Sequence, residues 1–220
     1  MKRVLVTGAA GFVGRQVVAA LASHDASITA AVRSGAVSRL SPAIAVDRVV
    51  VSDDLFSEDE SWWERSVAAS DIVIHTAWYT NPADYMTSSE NFRCAEGTVR
   101  MASGVAYSGV KRFVGIGTCL EYEQTGNLLT TMTNIRPQGR MRVPKRTRIF
   151  DSRRDSTRLL SNSRDADFSI CMARANVRSD LCLTCVVNSA RGEKSGCPTR
   201  TRCLTSQKWA RLLVESWKSH

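Results

Sequence analysis

The chain has 220 residues, 43% hydrophobic and 23% charged, with a formal net charge of +9, long enough to bury a core in one domain or in one domain and part of a second. No apolar run approaches a membrane span, and three glycines and Arg15 interrupt the apolar stretch behind Met1-Lys2-Arg3, which argues against a secretory leader and for a cytoplasmic protein. The positive charge would suggest nucleic acid if it were uniform, but residues 1–135 carry 11 Lys and Arg against 14 Asp and Glu, net −3, while residues 136–220 carry 19 against 7, net +12.

Val4-Leu5-Val6 reads as a buried strand. The residues behind it, Thr7-Gly8-Ala9-Ala10-Gly11-Phe12-Val13-Gly14, space three glycines across a sharp turn into a helix that starts near Phe12 and carries Val17, Val18 and Leu21. In that setting Gly8 permits the turn, Gly11 lets backbone N–H groups approach a diphosphate, and Gly14 lets the helix pack closely on the strand. Unpaired N–H groups and the helix dipole favour negative charge at the helix N-terminus. The stretch is read as a dinucleotide cradle made by Thr7, Gly8, Gly11, Phe12, Val13 and Gly14; a purely structural turn is the alternative.

The spacing Thr-Gly-x-x-Gly-x-x-Gly also resembles the extended branch of the short-chain dehydrogenase superfamily, the NAD(P)-dependent epimerases, dehydratases and reductases of nucleotide sugars. The resemblance implies a Rossmann-type α/β fold over residues 1–135, a doubly wound parallel sheet. It also implies hydride transfer on a nucleotide sugar or similar small carbonyl substrate, with a tyrosine as acid/base, no membrane partner, and a homodimer as the assembly to consider.

Ser27–Val32 reads as the second strand, ending at Arg33-Ser34. An acidic residue there would bind ribose hydroxyls, whereas arginine can pair with a 2′-phosphate, so Arg33 leans the cofactor from NAD towards NADP; a solvated arginine at a strand end is the other reading. Arg48–Ser52 is the third strand. Asp54-Leu55 behind it is similar to the family's pair that touches adenine, although such a pair alone is more often a helix cap. Trp62 and Trp63 begin the packing of a helix that runs towards Ala69.

Asp71–Trp78 reads as the fourth strand and its exit, similar to the family's Asp-x-Val-x-His-x-Ala segment, which implies that Thr76 and Ala77 lie against the cofactor. His75 is a packed strand-end residue on this reading, and no metal site is expected. Glu90–Tyr107 is helical, with Ser88 or Ser89 as N-cap. Gly97-Thr98 and Gly109–Val114 resemble the family's fourth helix and fifth strand, and Asn91 is given no role. Phe113–Tyr122 would be the fifth strand and active-site loop. The family's catalytic Ser or Thr stands four residues before a tyrosine, as Thr118 stands before Tyr122, and its hydroxyl would polarise the reacting oxygen.

Tyr107-Ser108-Gly109-Val110-Lys111 contains a literal Tyr-x-x-x-Lys, but Gly109 interrupts it as the chain leaves a helix, so the two side chains cannot share a helical face. The family's pair belongs about two dozen residues after Thr118. That region reads Arg136-Pro137-Gln138-Gly139-Arg140-Met141-Arg142-Val143-Pro144-Lys145-Arg146, and no tyrosine follows Tyr122. Beyond Pro137 periodicity fades, and five of the seven cysteines fall in the last fifty residues. A change of reading frame near Pro137 accounts for this. Codons taken from the third base of one triplet and the first two of the next permit Tyr-Ala-x-(Ala/Ser)-Lys across Arg140–Lys145. The same frame permits Phe-Tyr-Leu-Tyr-Gly-Glu-Gly-Glu across Phe168–Asn176, similar to a family segment near the substrate pocket.

Residues 136–220 are thus expected to be irregular. The rival is a separate module in which Cys182, Cys185, Cys197 and Cys203 bind zinc or the arginines bind nucleic acid. The spacing from Cys197 to Cys203, the absence of a supporting histidine and the lack of aromatic interleaving weigh against it. A second functional class is a non-catalytic NADP-binding protein.

Overall fold

The computed structural model describes residues 1–40, 42, 46–85, 87–118, 123, 134, 167–175 and 181–182. In chain order the elements are β1 (Lys2–Thr7), α1 (Phe12–Ala22), β2 (Ala26–Arg33), a 3-10 turn (Ser34–Arg39), β3 (Arg48–Ser52), α2 (Glu60–Val67), β4 (Ile72–His75), α3 (Glu90–Tyr107), β5 (Arg112–Thr118), β6 (Asp167–Ala175) and β7 (Leu181–Cys182). They form a sheet of order β3-β2-β1-β4-β5-β6-β7. Strands β1 to β6 are parallel and β7 runs antiparallel to β6. The chain winds outward from β1 in one direction through β2 and β3, then in the other through β4 and β5, so strand order reverses between β1 and β4.

The central strands read as unbroken apolar runs because both faces of the sheet are covered. Val4, Val6, Ile28, Ala30, Val32, Ile72 and Ile74 lie on one face with Val17, Val18 and Leu21 of α1. The alternate residues Leu5, Ala31, Val50, Val73 and Phe113 lie on the other with Trp63 and Val67 of α2 and Met101, Ala102 and Val105 of α3. The Trp63 anticipated in helix packing is one of the largest fully buried side chains. At the border of the sheet β3 extends past this cover: Val49 and Val51 are 41% and 48% exposed.

At the N-terminal edge of the sheet Asp71 ties β4 to β1. Its carboxylate accepts from Arg3 N (3.0 Å), Nε (3.2 Å) and Nη2 (3.0 Å), and Asp71 N donates to the Arg3 carbonyl (2.8 Å). These bonds hold the Asp71 carboxyl down at a pKa of about 2.

β6 and β7 fall where the sequence reading assigned no element. Phe168, Ile170 and Met172 alternate with Ser169, Cys171 and Ala173, a two-residue period inside an otherwise unpatterned segment. Residues 112 to 118 of β5 pair in parallel with residues 167 to 173. Tyr122, the displaced Tyr-x-x-x-Lys region at 140–145 and Cys185, Cys197 and Cys203 of the zinc alternative lie outside the described residues.

Candidate functional site

The C-terminal ends of the parallel strands bring most of the anticipated residues to one edge of the sheet. Register pairs Thr7 of β1 with Ala31 of β2 and with His75 of β4, and Arg33 of β2 with Ser52 of β3. The glycine loop leaves β1, Thr76 and Ala77 leave β4, Asp54 and Leu55 leave β3, and Thr118 closes β5. Arg33 is exposed at the end of β2. Crevices at such a strand-order reversal are where open α/β sheets bind ligands.

The loop between β1 and α1 is shaped by its glycines. Gly8 has φ +65°, and a Cβ there would stand 2.9 Å from the Ala77 backbone, so only glycine fits between the two strand exits. A Cβ on Gly14 would overlap the Gly8 carbonyl, so α1 sits directly on the loop. Gly8 N donates to Ala31 O (3.0 Å) and Gly11 N to Gly8 O (2.8 Å). Gly11 is the N-cap of α1, no side chain caps that end, and no acidic residue occupies its first turn. The end therefore offers backbone N–H groups and the positive pole of the helix to an anion. Phe12, the first helical residue, is 51% exposed beside it, and Val13 is half-buried. These features fit a diphosphate.

Beneath the loop runs a buried polar chain. Thr7 Oγ1 accepts from Thr76 N (3.2 Å) and Ala77 N (3.4 Å) and lies 2.7 Å from His75 Nδ1. On the far side of the ring, His75 Nε2 is 3.1 Å from Thr98 Oγ1, whose own proton goes to Cys94 O (2.7 Å). Thr98 must therefore accept from Nε2–H and Thr7 must donate to Nδ1, which assigns a neutral imidazole protonated on Nε2. His75 is buried between Phe56 and Phe113, as its reading as a packed residue anticipated. Thr76 Oγ1 donates to Thr7 O (2.7 Å), so the hydroxyls of both threonines brace the exits of β1 and β4.

The Asp54–Ser57 segment is a tight turn. Asp54 accepts from Phe56 N (3.1 Å), from the Ser57 hydroxyl and from Arg93. Burial opposes ionisation, but these hydrogen bonds and the Arg93 charge hold the Asp54 carboxyl below its ordinary pKa. The Leu55 side chain is buried among α2 and α3, leaving its backbone as the part that can meet a ligand.

Asn91 does more than the sequence disclosed. Fully buried at the start of α3, it accepts from Trp78 Nε1 (2.8 Å) and donates to Tyr85 O (2.8 Å) and Ser88 O (3.0 Å), fixing the loop that follows Ala77. Ser89 occupies the N-cap position without a side-chain bond, and Ser88 Oγ instead accepts from Glu90 N (3.2 Å). The rejected Tyr107/Lys111 pair is separated as anticipated: α3 ends at Tyr107, and Gly109 has φ +79°. No group of three or more metal-ligating side chains occurs among the described residues, and no described helix is long and apolar enough to cross a membrane.

Residues 4–144 match the model of the NAD dependent epimerase/dehydratase family. No curated protein matches the chain. Among solved structures, MoeE5 in complex with UDP-glucose and NAD superposes with a TM-score of 0.58 at 24% identity, over 77% of this chain and 52% of that one. The UDP-N-acetylglucosamine 4-epimerase of Methanobrevibacter ruminantium M1, in complex with UDP-N-acetylmuramic acid, gives 0.59 at 19% identity over 77% and 53%. DesIV, a dTDP-glucose 4,6-dehydratase from Streptomyces venezuelae with NAD and TYD bound, gives 0.59 at 21% over 77% and 55%. The chain thus spans about half the length of these proteins, and at such identities they share its fold.

Proposed function

Because this chain belongs to the NAD dependent epimerase/dehydratase family, we propose that residues 1–135 bind NAD(P) and that the intact ancestral activity is hydride transfer on a nucleotide sugar or similar carbonyl compound. The observation that supports this reading is the fit of Gly8 between the exits of β1 and β4 and of Gly14 against the Gly8 carbonyl, two places where no side chain could stand. Backbone N–H groups of Phe12, Val13 and Gly14 would hold the diphosphate, Gly8 and Gly11, whose own N–H groups are bonded within the protein, would give the loop its shape, and Asp54 with the Leu55 backbone would meet the adenine. Thr76 and Ala77 would wall the site. Arg33, exposed at the end of β2, supports NADP over NAD. When bound, the nicotinamide supplies a hydride acceptor or donor. Thr118 would hydrogen-bond the substrate oxygen from the end of β5.

The UDP-glucose and UDP-N-acetylmuramic acid bound by two structural neighbours, and the dTDP-glucose 4,6-dehydratase activity named for a third, support a nucleotide sugar as the substrate class. The chain, however, has no tyrosine after residue 122, and without a general acid/base turnover falls by about a hundred- to ten-thousand-fold. That absence favours a second reading, a non-catalytic NADP-binding protein. Titrating purified protein with NADH and NADPH, then assaying UDP-glucose and dTDP-glucose, tests both. Binding with turnover supports the impaired enzyme; binding without turnover supports the second reading. Failure to bind either nucleotide rejects both.

A further inference from the structure

The turn that carries Asp54 is held by helix α3. Arg93, Gly97 and Arg100 stand at i, i+4 and i+7, one stripe of the helix. Arg93 pairs with the Asp54 carboxylate. A Cβ on Gly97 would stand 2.6 Å from Phe56 Cα and the Phe56 carbonyl oxygen, so the helix backbone and the turn are in direct contact. Arg100 Nη2 donates to that same carbonyl (2.6 Å). The Arg93 guanidinium is itself fixed by Glu90, whose Oε2 accepts from Nε (2.8 Å) and Nη2 (2.6 Å), which leaves Nη1 for Asp54.

Hydrogen-bond capacity then singles out Arg93. A carboxylate oxygen accepts about two bonds. Asp54 Oδ2 takes Arg93 and the Ser57 hydroxyl, and Oδ1 takes Phe56 N. With Oδ2 filled and the group held ionised, Oδ1 retains capacity for one further donor. A single N–H of an exocyclic amino group is such a donor. We propose that Arg93 is a positioning residue for the adenine end of the dinucleotide, acting through Asp54 and resting on the reading of Asp54-Leu55 as the adenine contact. Lysine cannot replace it, because a single ammonium lacks the planar fork that engages Glu90 and Asp54 together.

The pair is partly exposed, and such pairs contribute little to global stability, so the effect on binding is separable from folding. The test is calorimetric titration of the full chain with ADP-ribose, its 2′-phosphate and nicotinamide mononucleotide, the last having no adenine. Arg93→Ala is expected to weaken the two adenine-bearing probes by about five- to tenfold while nicotinamide mononucleotide binds as to the parent and the thermal midpoint is nearly unchanged. Arg93→Lys is expected to restore only part of the loss, and Arg93→Ala should add nothing in an Asp54→Ala background. Unchanged adenine-probe affinity in Arg93→Ala, or an equal loss for the mononucleotide, overturns the positioning role and leaves the dinucleotide site standing. A parent chain that binds none of the adenine probes overturns the site itself.

Discussion

Thr7 Oγ1 and His75 Nδ1 meet at 2.7 Å beneath the glycine loop and join the ends of two neighbouring parallel strands through a neutral imidazole. Thr7→Val removes the donor to Nδ1 and the acceptor for the N–H groups of Thr76 and Ala77. Stability should fall by about 1–3 kcal/mol, the range for stranding buried polar groups. Urea unfolding measures this. Thr98→Val should behave similarly, and the double variant should lose less than the sum, because both threonines serve one ring.

The β1 exit tolerates no side chain. Gly8→Ala forces an alanine to φ +65° and drives its Cβ against Ala77, a combination worth on the order of 1–3 kcal/mol. NADH and NADPH binding, followed by fluorescence titration, should be lost in this variant. Gly35→Ala serves as the control, since a Cβ there meets nothing within 4 Å, and its binding should be unchanged.

Asp71 gives the fold an acid-sensitive tie. Its folded pKa of about 2 lies below the ordinary 3.8, so the native state holds fewer protons than the unfolded chain between these values. The stabilisation is therefore complete above about pH 4 and is lost as pH falls towards 2. Because Arg3 is exposed, solvent screening keeps the contribution small. Asp71→Asn should be less stable than the parent at pH 7, with the gap closing below pH 4 in paired denaturation series.

Arg33 should decide between the two nicotinamide nucleotides. Arg33→Asp is expected to weaken NADPH by about tenfold or more while NADH holds or improves, since a guanidinium–phosphate pair is exchanged for a repulsive one. Competitive titration of the two nucleotides reads the ratio. Equal affinities in the parent chain would remove Arg33 from the site.

The tail carries a genetic prediction. Sequencing codons 130–150 should show a frame change near Pro137, and a gene corrected into the displaced frame should regain Tyr-Ala-x-(Ala/Ser)-Lys and raise turnover by about a hundredfold or more. Stoichiometric zinc in the uncorrected protein would speak for the alternative module instead.

Much of this was legible in the sequence because it is written locally. Arg48–Ser52 and Glu90–Tyr107 were bounded as observed, since β-branched runs and a capped helical period need no distant information. β1 and β2 proved longer than their apolar centres by the polar residues that continue the ladder, such as Lys2 and Arg33. The β3 exit was anticipated but not its clamp: the pairing of Arg93 with Asp54 spans 39 residues, and an arginine on an exposed helical turn resembles any solvated one. Asn91 was passed over for the same reason, because its partners Trp78 and Tyr85 lie in a loop without periodicity. β6 was hidden by the composition around it.

The sheet's border has a last consequence. Among the described residues a 3-10 turn is the one helical element between β2 and β3, and Val49 and Val51 stand exposed on the sheet's terminal strand. Two wet valines on a terminal ribbon offer an apolar rim with unpaired backbone beside it, and self-association in concentrated samples should begin there. A lysine at either position would raise the concentration at which turbidity appears.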